Sequence, residues 1–299
     1  MDRLMSTTLM EQSAAPTATP EAPDAGPQPL LKIRPPHGWA ALDLLSVWRF
    51  RNLLLALAGR DVKLRYKQTA LGIAWVLLQP LLAAGIFTFV FGKVAKLSSD
   101  GRSYFLFSYA GLLGWNLFST TVTKSSVCLV GNSQLISKIF FPRLVLPFST
   151  VPSALIDFCV ALVMMFALMG LYHAPVSPAI LLLPMWMALI LMLSVGIGLW
   201  AAALTVSYRD VQYILPVVTS LWLYISPVAY SVSSVPQGLR WAYRLNPLAP
   251  VLEGFRWCLL NTNPPNFMSV LYSAAVSITF LVVGAHVFKR MERKFADVI

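Results

Sequence analysis

Charge is scarce in this sequence. Asp, Glu, Lys and Arg make up 12% of its 299 residues, against about a quarter in an ordinary soluble domain. So little charge cannot cover a water-facing surface, which excludes a soluble enzyme and, for most of the chain, disorder. Cysteine is scarce too. Cys128, Cys159 and Cys258 stand far apart, without metal-ligand spacing or the density of a disulfide scaffold. His37, His173 and His286 fall at different levels of the chain and form no cluster. No G-x-x-x-x-G-K-[ST] phosphate loop occurs; Gly92-Lys93 lacks both the upstream glycine and the hydroxyl residue that follows. Neither a catalytic constellation nor a metal site is therefore expected, and no cofactor in this chain.

What is present is apolar. Hydrophobic residues are 57% of the chain and the mean hydropathy is +0.68. The apolar stretches run on without the period-two alternation of a transmembrane barrel. The reading is an all-α integral membrane protein with six spans: Leu71–Phe91, Phe105–Thr121, Leu144–Tyr172, Ile180–Val206, Tyr213–Tyr230 and Phe267–Phe288. A helix needs about 20 apolar residues to cross a bilayer, so the second and fifth are short.

The net charge of +11 does not point to nucleic acid, because the basic residues flank the spans. Of 23 Lys and Arg, 17 fall in 1–70, 122–143, at Arg209 and in 289–299; the other six fall in 92–104 and 231–266. The positive-inside rule then puts both termini in the cytoplasm. Residues 1–37, rich in Ala, Pro, Thr and Glu, read as a disordered cytoplasmic tail, and 289–299 as a cytoplasmic C-terminal tail. Between 38 and 70 an amphipathic interface helix is expected. Asp43, Ser46, Arg49, Arg60, Lys63 and Lys67 would lie on one face, Leu44, Trp48, Leu55, Val62 and Tyr66 on the other, with a bend at Gly59.

Two connections exceed simple turns. In the inner one, 122–143, Leu135, Ile136, Ile139 and Phe140 are spaced as a short amphipathic helix closed by Pro142. The outer one, 231–266, reads as two short helices dipping into the bilayer, hinged at Asn246-Pro247 and Ala249-Pro250. Within it Glu253 and Arg256 stand at i, i+3 beside Trp257, an acid and a base placed to pair. Trp39, Trp48, Trp241 and Trp257 suit interface anchoring. Tyr109, Trp115, Trp222 and Tyr224 lie inside spans, either as core or as faces on which sugar rings stack. Asp157 is a lone carboxylate deep in a span, for which a partner on a neighbouring helix is expected.

Several runs carry a resemblance. Arg60-Asp61-Val62-Lys63-Leu64-Arg65-Tyr66-Lys67-Gln68-Thr69-Ala70-Leu71-Gly72, then Ile73-Ala74-Trp75 to Gln79-Pro80, is one. Leu135-Ile136-Ser137-Lys138-Ile139-Phe140-Phe141-Pro142-Arg143, Tyr208-Arg209-Asp210-Val211 and Ser226-Pro227-Val228 follow. Leu245-Asn246-Pro247-Leu248 and Glu253-Gly254-Phe255-Arg256-Trp257 complete the set. In this order, over about 43–290, the chain resembles the permease subunits of type-2 ABC exporters, most of all those exporting O-antigen and other cell-surface polysaccharides. The resemblance implies a homodimer of six-span subunits in the bacterial inner membrane, with a cytosolic ABC ATPase dimer that holds the ATP and Mg. The cargo it implies is a polysaccharide linked to undecaprenyl pyrophosphate.

The implied roles are a coupling helix within 132–142 (Leu135, Ile136, Lys138, Ile139, Phe140) and an outer gate over 235–260 (Asn246, Pro247, Glu253, Arg256, Trp257). Arg60, Lys63, Arg65 and Lys67 would form a basic collar for pyrophosphate, and Trp75, Tyr109, Trp115, Trp222 and Tyr224 a channel surface. Alternatives are the same machine carrying teichoic acid, capsule or a small hydrophobic cargo. A membrane-embedded glycosyl- or acyltransferase is a different class, and its acid/base or metal constellation has no counterpart among the scattered His and carboxylates. A channel without energy coupling would have no use for the apolar cytoplasmic helix.

Overall fold

The computed structural model describes residues 44–67, 73–292 and Phe295. The expectations for 1–37, Trp39, Asp43, 68–72 and most of 289–299 lie outside these residues. No strand occurs among the described residues; the chain is helix joined by short connections.

Leu44–Arg49 (α1) and Arg51–Lys67 (α2) make up the described part of the interface segment. The break falls at Phe50, correcting the bend expected at Gly59, through which α2 runs unbroken. A mid-helix glycine costs about 1 kcal/mol relative to alanine, too little to break a helix that packs on its neighbours. The face packed on the bundle is another one. Leu57 and Ala58 are buried, with Leu53 and Leu54 half-buried beside them, while Trp48, Leu55 and Leu64 are exposed.

Ile73–Phe87 (α3) contains Pro80 and widens into a π-helical turn over Thr88–Val94. Tyr104–Gly131 (α4) is 28 residues long. This corrects the second span, expected to stop at Thr121, and the inner connection, which starts at Asn132 and not at 122. The helix continues because nothing after Thr121 breaks it: Ser126 Oγ donates to Thr123 O, and Ser125 Oγ bonds to Thr150 Oγ1 across to the next long helix. Ser133–Lys138 (α5) follows, then Val145–Leu171 (α6), a 3₁₀ turn over Pro178–Leu182, and Leu183–Ser207 (α7).

Val211–Ile225 (α8) ends before Ser226-Pro227, five residues short of the expected Tyr230, because the residue before a proline disfavours helix. Arg240–Leu245 (α9), Leu248–Leu260 (α10) and Phe267–Met291 (α11) complete the order. The chain does break at Asn246-Pro247. Ala249-Pro250, expected as a second hinge, instead lies in the first turn of α10, where a missing N–H is harmless.

Among the described residues four helices are long and apolar enough to cross a membrane: Ala74–Val94, Val145–Leu171, Pro178–Ser207 and Phe267–Met291. α8 is apolar but short. α4 is long but carries Ser108, Asn116, Ser119, Thr120 and Thr121. Its surroundings explain that composition. It packs against α3, α6, α7, α8 and α10, and 18 of its 28 residues are buried. A helix faced by protein does not need the apolar circumference that lipid demands.

Two apolar cores lie at opposite ends of the bundle. One gathers Phe107, Phe118, Met165, Trp186, Leu252 and Phe255 from α4, α6, α7 and α10. The other joins Leu57, Leu129, Phe141, Val145, Leu199, Phe288 and Phe295. Between them α7 and α11 pack so closely that a Cβ on Gly284 would strike the backbone of Gly196. Such small-residue crossings let membrane helices gain dispersion energy without a hydrophobic driving force.

Candidate functional site

The expected site residues form three groups. The first is at the end of the bundle that carries α2 and α5. Arg60, Lys63 and Lys67 line an outward groove on α2 together with Leu55 and Leu64. Arg65 turns the other way and pairs with Asp157 of α6, which Lys124 of α4 also reaches at 3.3 Å. Lys124 donates to Ser153 Oγ at 2.9 Å as well. The collar of four is thus divided: Lys63 and Lys67 face outward, Arg60 pairs with Asp61 at 3.0 Å and reaches Asn132, and Arg65 ties α2 to α6. Asp157 receives its expected partner from a neighbouring helix. Lys124 was missed as a site residue because it follows the apolar run and read as part of a loop.

The segment over 132–143 joins this group. Asn132 Oδ1 accepts from Arg60 Nη2 at 2.8 Å, while its own amide donates to Cys128 O. The helix is shorter than its spacing suggested. It ends at Lys138, and Ile139 is extended, with φ −131° and ψ 133°. Leu135 and Ile136 pack against the second core. Ile139 and Phe140 do not: they are 54% and 75% exposed. Past them, Phe141 is buried, and Arg143 donates to Glu292 O and lies 5.8 Å over the Phe295 ring, fastening the segment to the end of α11.

The second group is at the other end. Asn246 is 6% exposed and all of its side chain is used. Its Nδ2 donates to Ser226 Oγ at 2.9 Å, while Oδ1 accepts from Leu248 N at 3.0 Å and from Trp222 Nε1 at 3.3 Å. Tyr272 and Ser273 of α11 donate to the Leu245 and Pro247 carbonyls on either side. The break before α10 is therefore bolted to α8 and α11. Ser226 went unrecognised outside its motif, since only the fold brings it to Asn246.

Arg256 corrects a second expectation. It is 2% exposed and makes no ion pair with Glu253. Its Nη2 donates to Val228 O at 2.6 Å, its Nε to Phe107 O at 3.4 Å, and its guanidinium lies 3.8 Å over the Phe107 ring. The i, i+3 spacing was compatible with a pair, but the guanidinium is held instead by two carbonyls and an aromatic face. Glu253 is half-buried and Trp257 packs against the first core. Gly254 lies against the Trp186 indole so closely that a Cβ would collide with it.

The aromatics make up the third group, and they separate by exposure. Tyr109 is fully buried with Oη donating to Ala161 O at 3.1 Å, and Trp115 is buried against Phe118. Within the chain both are core, so neither contributes to a channel surface there. Trp222 is half-buried, edge-on to Phe118 at 5.2 Å. Trp75 and Tyr224 are exposed. Among the described residues no group of three or more His, Cys, Asp or Glu converges.

The sequence profile described as ABC-2 type transporter matches residues 52–260, from α2 to the end of α10. The chain is similar to an O-antigen export system permease protein, RfbA, of Klebsiella pneumoniae, with 27% identity over 83% of this chain and 95% of the relative. The RfbA of Myxococcus xanthus is 28% identical over 85% and 98% of the two chains. A polysialic acid transport protein of Escherichia coli, KpsM, is 25% identical over 79% and 92%.

Proposed function

The chain belongs to the ABC-2 type transporter family, and from that premise we propose that it is the membrane-spanning permease subunit of an ATP-driven polysaccharide exporter. The cargo is an O-antigen-like glycan linked to undecaprenyl pyrophosphate, moved from the cytoplasmic to the outer face of the inner membrane. One observation carries this reading: similarity to O-antigen export permeases extends over nearly their whole length. The chain works as a homodimer above a cytosolic ATPase dimer, which supplies the ATP and Mg chemistry. In this reading α3, α4, α6, α7, α8 and α11 are the six spans, α9 and α10 the outer re-entrant gate, and both termini are cytoplasmic.

The interactions within the chain support a route for mechanical work. An ATPase pressing on α5 and the exposed Ile139-Phe140 corner moves Asn132, and through Arg60 it moves α2. Arg65, Asp157 and Lys124 carry the displacement to α6 and α4. α4 has 28 residues, about 42 Å at 1.5 Å per residue, enough to cross the hydrocarbon and both headgroup layers. At its far end Phe107 O and the Phe107 ring hold Arg256 of α10. One rod thus links the coupling segment to the gate.

The pyrophosphate costs several kcal/mol to bury unpaired. Lys63 and Lys67, which line the α2 groove with Arg60, offer it charge before it enters. Trp222, Tyr224 and Trp75 offer ring faces that tolerate different sugars. The test is deletion and complementation of the gene, measuring surface polysaccharide and intracellular lipid-linked polymer in the same cells. Loss of surface glycan with cytoplasmic accumulation is expected, along with co-purification of an ATPase; unchanged surface glycan overturns the reading. The likeness to the polysialic acid transport protein makes a capsular polymer the second reading, distinguished by which glycan disappears.

A further inference from the structure

Where the α3–α4 connection, the Ser231–Ser233 turn, α10 and the 262–266 connection meet, they border a partly open cavity of about 230 Å³. Asp100 enters it from a left-handed backbone position, φ 53°. Ser231 Oγ donates to its Oδ2 at 2.8 Å and Ser233 Oγ to its Oδ1 at 3.2 Å, which fixes the carboxylate. A carboxylate has about four acceptor positions, so two remain. Glu253 on the opposite wall has no hydrogen bond among the described residues, which leaves its acceptors open as well. The buried Arg256 spends Nε and Nη2 on carbonyls, leaving Nη1 as a charged donor. Val232, Pro264 and Pro265 supply apolar wall.

Open acceptors in excess, one fixed donor and an apolar wall match a polyhydroxylated ring, which donates from several O–H groups and has a C–H face. The same carboxylates would suit a bare cation less well, because the guanidinium of Arg256 is part of the wall and repels it. The volume lies below the roughly 300 Å³ where drug-sized sites begin, so one ring enters and two do not.

We propose that this cavity is a subsite for a single sugar residue of the exported polymer. It rests on the exporter reading and places a sugar-holding site beside the gate helix, away from the aromatic surfaces. A ring held between Asp100 and Glu253 bridges α10 to the α3–α4 connection, so each residue of the passing chain engages the gate in turn.

The test uses the full-length chain in lipid nanodiscs, titrated with methyl glycosides of hexoses, 6-deoxyhexoses and 2-acetamido sugars, each alone, by saturation-transfer NMR. At least one should bind with a millimolar Kd. Asp100→Asn should weaken it tenfold or more, since asparagine tolerates the left-handed backbone but brings an amide donor. Val232→Trp, which fills the cavity, should abolish binding while the melting temperature stays that of the parent. The proposal is overturned if no glycoside binds, if both variants bind as the parent does, or if calcium chloride binds there and no glycoside does. Surface polysaccharide measured in the same strains separates the two readings. Absent glycoside binding with normal gene-dependent export removes the subsite alone. Glycoside binding with export independent of the gene removes the exporter reading alone.

Discussion

Arg256 shows what a single residue does for the seating of α10. Its two carbonyl partners lie on different segments, α4 and the turn after α8, so it closes a three-way junction. Hydrogen bonds to a charged group contribute about 1.5–3 kcal/mol each, offset by the cost of desolvating the guanidinium. Arg256→Leu should lower stability by about 2 kcal/mol in detergent, because Phe107 O and Val228 O lose their partner and stay buried. Arg256→Lys, lacking the fork, should recover less than half of that. Denaturant melts of the purified chain measure both.

Asp157 poses a different balance, one carboxylate serving two cations. Asp157→Asn leaves Lys124 and Arg65 facing each other, and it should cost more stability than Lys124→Met. The double variant should lie closer to the parent than the sum of the singles, with a coupling of about 1 kcal/mol. Strict additivity would mean that the cluster is a solvated coincidence.

At the scale of elements, the proposed coupling segment divides its apolar residues between two uses. Leu135, Ile136 and Phe141 serve the core, while Ile139 and Phe140 are displayed. Two large exposed apolar side chains on a segment anchored at both ends, by Asn132 and by Arg143, have no folding role to explain them. Ile139→Asp with Phe140→Asp should therefore leave melting and membrane insertion unchanged and abolish co-purification of the ATPase. If the ATPase still co-purifies and export is normal, the corner is only surface. The spacing of these residues pointed to a six-position helical stripe, and the stripe was half right. Pro142 disfavours helix at Phe141 before it, and the helix already ends at Lys138.

For the whole molecule, the asymmetry of Lys and Arg is what the proposed orientation rests on. Single cysteines placed at Ser137 should be labelled only from the cytoplasmic side, and those at Arg102 and Arg240 only from outside. External labelling at Ser137 would sink the six-span topology and the coupling route with it. The expectation leans on charge alone, because nothing in helix packing distinguishes one side of a membrane from the other.

Composition and periodicity by themselves determined that the chain is helical, where its apolar stretches lie and that the chain breaks at Asn246-Pro247. These are local properties: hydropathy over about 20 residues and the missing N–H of a proline act on the segment that contains them. Tertiary structure decided that α4 runs to Gly131, since a helix packed against α3, α6, α7, α8 and α10 can carry its serines, threonines and Lys124 to partners on its neighbours. It also decided which way each charged side chain turned. Arg65 sits among Arg60, Lys63 and Lys67 in sequence, and Arg256 sits one turn from Glu253, yet both found partners at long range, Asp157 and the carbonyls of Phe107 and Val228. A guanidinium leaves water only for fixed acceptors, and those are created when distant helices pack, so no reading of neighbouring residues contains them.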